Sequence, residues 1–171
     1  MPFSAKDRAR RRGVDRVELQ TWQAEMRDDC RVVRDAFLKA KDRFERQEEV
    51  AHEGCAHQLC RMYNAIEQMG LRVAKAFENS IDDEKGWHSG LLNRLSIRID
   101  GVRPAVFPSA LRGPLNELKG FRHIFTHAYE LELDPEKLAL LLKYAKSIAD
   151  AVPSLVDEFI LAVAREQQIA L

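Results

Sequence analysis

The side chains best suited to chemistry lie close together in one short stretch, residues 114–135, which reads PLNELKGFRHIFTHAYELELDP. The stretch contains Arg122, His123, His127 and Tyr129. A guanidinium stays positively charged and can hold a phosphate at two points, whereas an imidazole can accept or donate a proton near neutral pH. This combination is suited to acid–base chemistry at a phosphate.

Apolar residues in the same stretch recur at helical spacing, at Leu115, Leu118 and Phe125, with Phe121 or Arg122 in the same row. The pattern predicts an amphipathic helix that packs on one side against the rest of the protein. The polar side chains would then lie near the C-terminal end of a helix whose position the remaining chain fixes.

The spacing of the candidate residues sets a geometric constraint on any site they form. His123 and His127 are four residues apart and share a helix face. Arg122 and His127 are five apart, which places them about 140° apart around a helix with ~3.6 residues per turn. A single helix cannot easily direct both at one phosphate, but two copies packed about a two-fold axis could. The spacing therefore predicts a homodimer.

The composition fits one helical globular domain. The chain has 171 residues, 46% of them hydrophobic and 32% charged, with only 8 Gly and 6 Pro. This length is enough to bury a substantial core. The 27 basic and 27 acidic side chains cancel, which argues against binding of nucleic acid through bulk charge but leaves a local site possible.

The basic charge is concentrated at the N-terminus. We interpret residues 1–13 as a basic N-terminal arm and residues 14–171 as a single domain. The arm is either a solvated tail or a contact for nucleic acid. Its basic side chains are Lys6, Arg8, Arg10, Arg11 and Arg12.

Cysteine use and hydropathy bear on the compartment. Cys30, Cys55 and Cys60 fall in helical patterns without a Cys-x-x-Cys spacing, which predicts small core residues of a reduced cytoplasmic protein. The basic N-terminus lacks the apolar run of a signal peptide, and no segment approaches the ~20 apolar residues of a membrane span. We therefore expect a cytoplasmic protein without a membrane partner.

Helical periodicity covers most of the chain, and no segment shows a convincing β-strand period. The pattern predicts an all-α bundle of about five helices, the usual arrangement for amphipathic helices joined by short loops. Gly54 and Gly70, inside the second helix, would allow close approach of another helix. Breaks in the pattern are predicted at residues 41–49, 79–86 and 100–108.

Three prolines make local predictions. Pro114 cannot lie deep in a helix without loss of a hydrogen bond, so the key helix either kinks there or begins near Gly113. The Asp134–Pro135 pair predicts a new helix, with Asp134 as N-cap and Pro135 at the first helical position. Pro153 is predicted to kink that helix or to split it from a last helix.

A known motif is present in the key stretch. Arg122, His127 and Tyr129 satisfy the pattern R-x4-H-x-Y, and His123 supplies the polar residue that often follows the arginine. In these residues the chain resembles the HEPN domains, and specifically the HepT-like ribonuclease toxins. The resemblance extends over about residues 59–159 and includes the segments MYNAIE, WHSGLL, GVRP, FRHIFTHAY and ELDPEKL.

The resemblance implies a HEPN-like helical bundle that acts as a homodimer, with the motif helices of both subunits forming one cleft. It implies a metal-independent endoribonuclease of tRNA or mRNA that requires no cofactor. His127 would be the general acid/base, Arg122 would bind the phosphate and stabilise the transition state, and His123 would be an auxiliary catalytic or orienting group. The expected products are a 2′,3′-cyclic phosphate and a 5′-hydroxyl.

The resemblance also implies a partner for Tyr129. A minimal nucleotidyltransferase antitoxin would transfer AMP onto Tyr129 and so silence the ribonuclease. A bulky anionic group beside Arg122 would occupy the phosphate site and repel RNA. The alternative for Tyr129 is an aromatic side chain that packs at the helix end.

A metal site is a second interpretation of the histidines. His123 and His127 at positions i and i+4 could share a divalent ion, as in the HExxH motif, although His-Ile-Phe-Thr-His lacks the glutamate of that motif. A third ligand would come from His88, Glu117, Glu130 or another subunit. His88 is otherwise a surface or capping residue.

A non-catalytic module is the third interpretation. HEPN-like bundles also serve as helical partners of nucleotidyltransferases, and the zero net charge fits such a role. The histidines would then only cap or hydrogen-bond within the bundle. The presence of Arg122, His127 and Tyr129 together favours catalysis, and unchanged behaviour of Arg122→Ala and His127→Ala variants would favour the module.

Overall fold

A computed structural model describes residues 15–77, 87–128 and 131–170, the side chains of 87–89 excepted. Predictions that concern the N-terminal arm, the break at 79–86, the side chain of His88, Tyr129 and Glu130 lie outside the described residues.

The described ranges contain five α-helices and no strand, which confirms the predicted all-α bundle. A single antiparallel bridge joins Ile99 and Arg103 in the loop before the fourth helix. Among these helices, none is long and apolar enough to cross a membrane. The helices are α1 (Arg16–Glu45), α2 (Glu49–Phe77), α3 (Trp87–Leu95), α4 (Arg112–His127) and α5 (Pro135–Glu166), and a 3₁₀ turn at Ser109–Leu111 leads into α4.

Side-chain caps fix the beginnings of two long helices. Asp15 accepts a hydrogen bond from the backbone N–H of Glu18 at 2.8 Å, and Glu18 accepts one from the N–H of Asp15 at 3.0 Å. This reciprocal pair is a capping box. Asp134 accepts from the N–H of Glu136 at 2.8 Å, with Pro135 at the first helical position. The start predicted for α5 is confirmed.

The prolines behave differently at the two sites where a break was predicted. Helix α4 begins at Arg112, so Pro114 lies in its first turn, where a missing N–H costs no helical hydrogen bond. Helix α5 continues through Pro153, so the alternative of a split from a last helix was wrong, whereas the alternative of a kink stays a prediction. Val152 and Val156 on either side of Pro153 are fully buried, and this packing offsets the hydrogen bond that proline removes.

Helices α1 and α2 lie antiparallel and form the base of the bundle. Trp22 near the start of α1 contacts Phe77 at the end of α2, with ring centroids 5.7 Å apart. Arg43 near the end of α1 donates to the carbonyl oxygen of Gly54 near the start of α2. Helix α5 packs on this pair through Phe159, whose ring lies 5.4 Å from that of Trp22. The predicted core cysteines, Cys30, Cys55 and Cys60, are all buried.

The loop between α3 and α4 is fastened by a buried arginine. Arg103 is 1% exposed, and its guanidinium donates to the backbone carbonyls of Arg94 at 2.9 Å and of Ile97 and Pro104 at 3.2 Å. These bonds satisfy a charge that would otherwise be costly to bury. The loop therefore holds the start of α4 at a defined place beside α3.

Helix α4, which carries the candidate residues, packs against α2 and α5. Leu115 and Leu118 are buried, and Phe121 and Phe125 are half-buried with their rings stacked 5.8 Å apart. The predicted apolar row is confirmed. The opposite side of α4 is left for the polar residues.

Candidate functional site

Arg122 lies on the side of α4 that faces α2. Its Nη2 is 3.7 Å from Oε2 of Glu67, and its Cζ lies over the ring of Tyr63, 5.8 Å from the ring centroid. A guanidinium at that distance from an aromatic face is attracted by the ring. The side chain of Glu67 is 11% exposed and that of Arg122 is 37% exposed. The guanidinium is therefore held by α2 on one side and open on another.

Two further groups of α2 lie in the electrostatic field of Arg122. Burial raises the pKa of Tyr63 to about 12, and the negative charge of Glu67 adds to this rise while Arg122 opposes it. Burial raises the pKa of Cys60 to about 11, again opposed by Arg122. Both groups stay neutral at physiological pH. The charge on α2 that balances Arg122 is therefore the carboxylate of Glu67.

The two histidines lie on an exposed part of α4. Their ring centroids are 4.6 Å apart, with the rings tilted by 35°. Nδ1 of His127 lies 2.8 Å from the carbonyl oxygen of His123. Because a carbonyl oxygen can only accept, Nδ1 carries the proton and donates it. Nε2 of His127 then has a free lone pair and can act as a base.

The side chain of Thr126 lies between the backbone of Arg122 and the ring of His127 in the last turn of α4. Its hydroxyl donates to the carbonyl oxygen of Arg122 at 2.8 Å and lies 3.3 Å from that of His123. Its Oγ1 is also 3.0 Å from Nδ1 of His127. These contacts hold the last turn of α4 in place and help to orient the imidazole of His127.

The structure brings His123 and His127 together but does not bring Arg122 to the same place. Arg122 is directed at Tyr63 and Glu67, whereas the described contacts of His127 are all with residues of α4. This is the divergence that the five-residue spacing predicted. One chain thus presents a basic group and an imidazole on two sides of one helix.

An apolar groove lies between α4 and the start of α5. Its volume is about 360 Å³. Ile124 is 54% exposed, Leu140 is 47% exposed and Leu131 is 38% exposed, and all three line the groove. Gly120 forms part of the α4 wall, and no atom lies within 4 Å of where its Cβ would be. These three exposed apolar side chains are the candidates for contact with a partner on this side of α4.

The metal interpretation depends on a third ligand. Within 15–77, 87–128 and 131–170, no three His, Cys, Asp or Glu side chains lie close enough together to hold a metal ion. Glu117 lines the apolar groove. His88 and Glu130, the other ligands considered within the chain, lie outside these described side chains.

Three residues of this site were not found by sequence reasoning: Tyr63, Glu67 and Thr126. Tyr63 and Glu67 are four residues apart and so share a face of α2, which is a signal that the sequence does contain. The sequence does not show, however, that this face is the one on which Arg122 packs. Tyr129, the predicted modification site, lies outside the described residues.

The family model described as HepT-like protein matches residues 54–163. Searches of curated proteins and of solved structures found no match. The matched segment is more than half of the chain and runs from α2 into α5, so that it contains both Glu67 and the Arg122–His127 pair. The chain therefore belongs to the HepT-like family of HEPN proteins.

Proposed function

We propose that this protein is the toxin of a toxin–antitoxin pair and a metal-independent endoribonuclease that cleaves tRNA or mRNA. The observation that carries the proposal is the exposure and hydrogen bonding of two side chains, Arg122 and His127. Arg122 is a held but partly exposed cation, and His127 is an exposed imidazole whose Nε2 is free to exchange protons. Membership of the HepT-like family supports the same activity.

The chemistry follows from these two groups. Nε2 of one His127 removes the proton of the ribose 2′-hydroxyl, and the 2′-oxygen then attacks the adjacent phosphorus. The bond between the phosphorus and the 5′-oxygen breaks, and the 5′-oxygen receives a proton from a His127 imidazolium. Arg122 stabilises the negative charge that develops on the phosphate oxygens. The products are a 2′,3′-cyclic phosphate and a 5′-hydroxyl. His123 is the auxiliary group, because its carbonyl orients His127 and its ring lies beside it.

A homodimer would bring the separated groups together. Arg122 faces α2 of its own chain, so the imidazole that meets the same phosphate is supplied by a second copy. The exposed Ile124 and the apolar groove give that copy a surface to cover, and the open space at Gly120 allows a helix to approach closely. The proposed cleft lies at the edge of this surface.

Regulation would act through Tyr129, two residues after His127. A nucleotidyltransferase antitoxin that transfers AMP onto Tyr129 would place a phosphate near the cleft, where it competes with RNA for Arg122. Intact mass of the protein before and after incubation with ATP and the antitoxin measures this modification. The Tyr129→Phe variant should gain no mass and should stay active.

A second function is favoured by a separate observation. The groove between α4 and α5 is apolar and the whole chain has no net charge. Both features suit a non-catalytic helical partner of a nucleotidyltransferase. In that case Arg122 and His127 would have no effect on any RNA.

The test is cleavage of total tRNA and of an mRNA by purified protein in excess EDTA, beside the His127→Ala variant. Phosphatase and kinase treatment identifies the product ends. Cleavage by the wild type alone, with cyclic phosphate ends, is the expected result. Absence of cleavage by protein whose intact mass shows no AMP would overturn the ribonuclease proposal in favour of the partner module.

A further inference from the structure

One face of α4 carries a stripe of polar side chains that the proposed chemistry does not fully use. Its members recur at positions i, i+4, i+7, i+11 and i+15 and lie within an arc of about 80° on a helix of ~3.6 residues per turn. All are exposed or half-buried. They are Arg112, Asn116, Lys119, His123 and His127.

The stripe contains no carboxylate. The only acidic residue of α4 is Glu117, which lines the apolar groove instead. Each member of the stripe can donate a hydrogen bond, through a guanidinium, an amide, an ammonium or an imidazole. In a chain with zero net charge, a row of such donors on one helix face suits an anionic ligand.

Arg112 is held in place by a neutral side chain, which does not cancel its positive charge. Its Nη2 donates to Oδ1 of Asn93 on α3 at 2.9 Å, and an amide oxygen carries no formal charge. Arg27 and Arg72, by contrast, are paired with carboxylates elsewhere in the bundle. The first turn of α4 contains no acidic residue, so the positive end of the helix dipole adds to the charge of Arg112.

We infer that this stripe is a track for the phosphates of single-stranded RNA and that it leads from Arg112 to the cleavage point at His127. The inference rests on the proposed function and adds to it the path of the substrate on one side of the scissile bond. Fifteen residues at ~1.5 Å each give a length of about 22 Å, which accommodates several nucleotides. Arg112 and Lys119 would bind phosphates, and Asn116 would donate to a phosphate or a ribose hydroxyl.

The experiment measures binding of a short, fluorescently labelled single-stranded RNA over a series of salt concentrations. All variants are made in a His127→Ala background so that the RNA stays intact. Arg112→Gln and Lys119→Gln each remove one charge from the track. Lys39→Gln is the matched control, because Lys39 is exposed on α1 and that helix packs mainly on α2 and α5.

Each track variant should bind RNA about three- to tenfold more weakly at low salt, and its slope of log K against log salt should fall by ~0.7, the value for one phosphate contact of a single strand. Lys39→Gln should leave both quantities unchanged. Arg112→Lys should recover the slope, which separates loss of charge from loss of the Asn93 contact. Circular dichroism of each variant confirms folding.

The track and the ribonuclease can fail separately. Track variants that bind with the same slope as Lys39→Gln would overturn the track, even if the wild type cleaves RNA. The expected loss of slope in a protein whose wild type cleaves nothing would support the track and overturn the ribonuclease. No RNA binding by the His127→Ala parent at the lowest salt would overturn the track, whether or not the wild type cleaves RNA.

Discussion

The guanidinium of Arg122 on α4 and the carboxylate of Glu67 on α2 lie 3.7 Å apart, above the buried ring of Tyr63. The pair joins the helix that carries the proposed catalytic residues to the helix that forms the base of the bundle. Glu67 is the better shielded of the two, so it limits the directions in which the more exposed Arg122 can point. The orientation of the proposed phosphate-binding group is therefore set by α2 rather than by α4 itself.

Replacement of Glu67 should affect catalysis through Arg122. Glu67→Gln keeps the shape of the side chain but removes its charge, so the guanidinium loses its anchor while its own charge remains. We expect kcat for RNA cleavage to fall about tenfold, the equivalent of roughly 1.4 kcal/mol, with little rise in KM. Glu53→Gln, at an exposed position of the same helix, is the matched control. The two changes are compared in steady-state kinetics.

Coupling to Arg122 distinguishes positioning from a general loss of stability. In an Arg122→Lys background, the Glu67→Gln change should cost much less than in the wild type, because residues that act together are not additive. An equal cost in both backgrounds would mean that Glu67 acts independently of Arg122.

The two histidines should differ in importance because only His127 transfers protons in the proposed mechanism. His127→Ala removes the proposed acid/base and should lower the cleavage rate by ~10²- to 10⁴-fold. His123→Ala keeps the backbone carbonyl that accepts the hydrogen bond from Nδ1 of His127, so its effect should be smaller. Single-turnover rates measure both. A larger loss for His123→Ala would reverse the assigned roles.

The tautomer of His127 gives a prediction that needs no activity. Because Nδ1 donates to the carbonyl of His123, neutral His127 should be protonated at Nδ1 rather than Nε2. Nitrogen-15 chemical shifts of the ring, assigned by their loss in His127→Ala, report which nitrogen is protonated. Thr126→Val, which removes the neighbouring hydroxyl, should leave the tautomer unchanged because the carbonyl remains.

Gly70 should be intolerant of a side chain, as its predicted role in close helix approach requires. A Cβ at Gly70 would lie 2.7 Å from Cδ1 of Leu95 and 3.0 Å from Cδ2 of Leu91 on α3. We expect Gly70→Ala to lower the free energy of unfolding by about 1–3 kcal/mol through overpacking. Gly90, on α3, has no atom within 4 Å of its Cβ position.

The matched change Gly90→Ala should have the opposite sign. Alanine favours a helix over glycine by up to ~1 kcal/mol, and at Gly90 nothing opposes that gain. Urea unfolding of the two variants and the wild type gives both differences. Stabilisation by Gly70→Ala would show that α2 and α3 have room between them.

Buried thiols should make the fold less stable in alkali. Burial raises the pKa of Cys55 to about 12 from an ordinary value of 9.0, and those of Cys30 and Cys60 to about 11. Above pH 9 the unfolded chain therefore loses these protons while the folded chain keeps them. Because the unfolded state then binds fewer protons, the free energy of unfolding must fall as pH rises.

The Cys55→Ala variant should show a smaller fall with pH than the wild type. The comparison is made by urea unfolding between pH 8 and pH 10. Tyr63, whose ordinary pKa of 10.0 is raised in the fold to about 12, begins to contribute near the upper end of this range, and its contribution is the same in both proteins. If the free energy of unfolding fell equally with pH in the two proteins, the fold would not raise the pKa of Cys55.

Much of the fold follows from local rules that are legible in the sequence. The apolar row of α4 and the Asp134–Pro135 start of α5 depend only on helical spacing and capping, and both were predicted. The continuity of α5 through Pro153 was not, because it depends on burial of Val152 and Val156 against other helices. A local penalty was outweighed by packing that no single segment reveals.

The candidate site also has one part that the sequence predicts and another part that it does not. Arg122, His123 and His127 form a contiguous motif and were chosen from residue types and spacing. Their divergence around the helix also followed from spacing alone. Glu67 and Tyr63 come from a helix about 55 residues earlier, and their contact with Arg122 exists only once α4 packs on α2. Long-range packing of this kind leaves no periodic signal.

Subunit mixing tests the composite ribonuclease site most directly. Arg122→Ala and His127→Ala chains with different tags, each inactive alone, are mixed to exchange subunits, and the doubly tagged species is purified and assayed for RNA cleavage in EDTA. A site built from Arg122 of one chain and His127 of the other should give the purified hybrid about half of wild-type activity, because each hybrid dimer has one intact site of two. Doubly tagged dimers that stay inactive while the wild type cleaves would contradict a site shared between two chains.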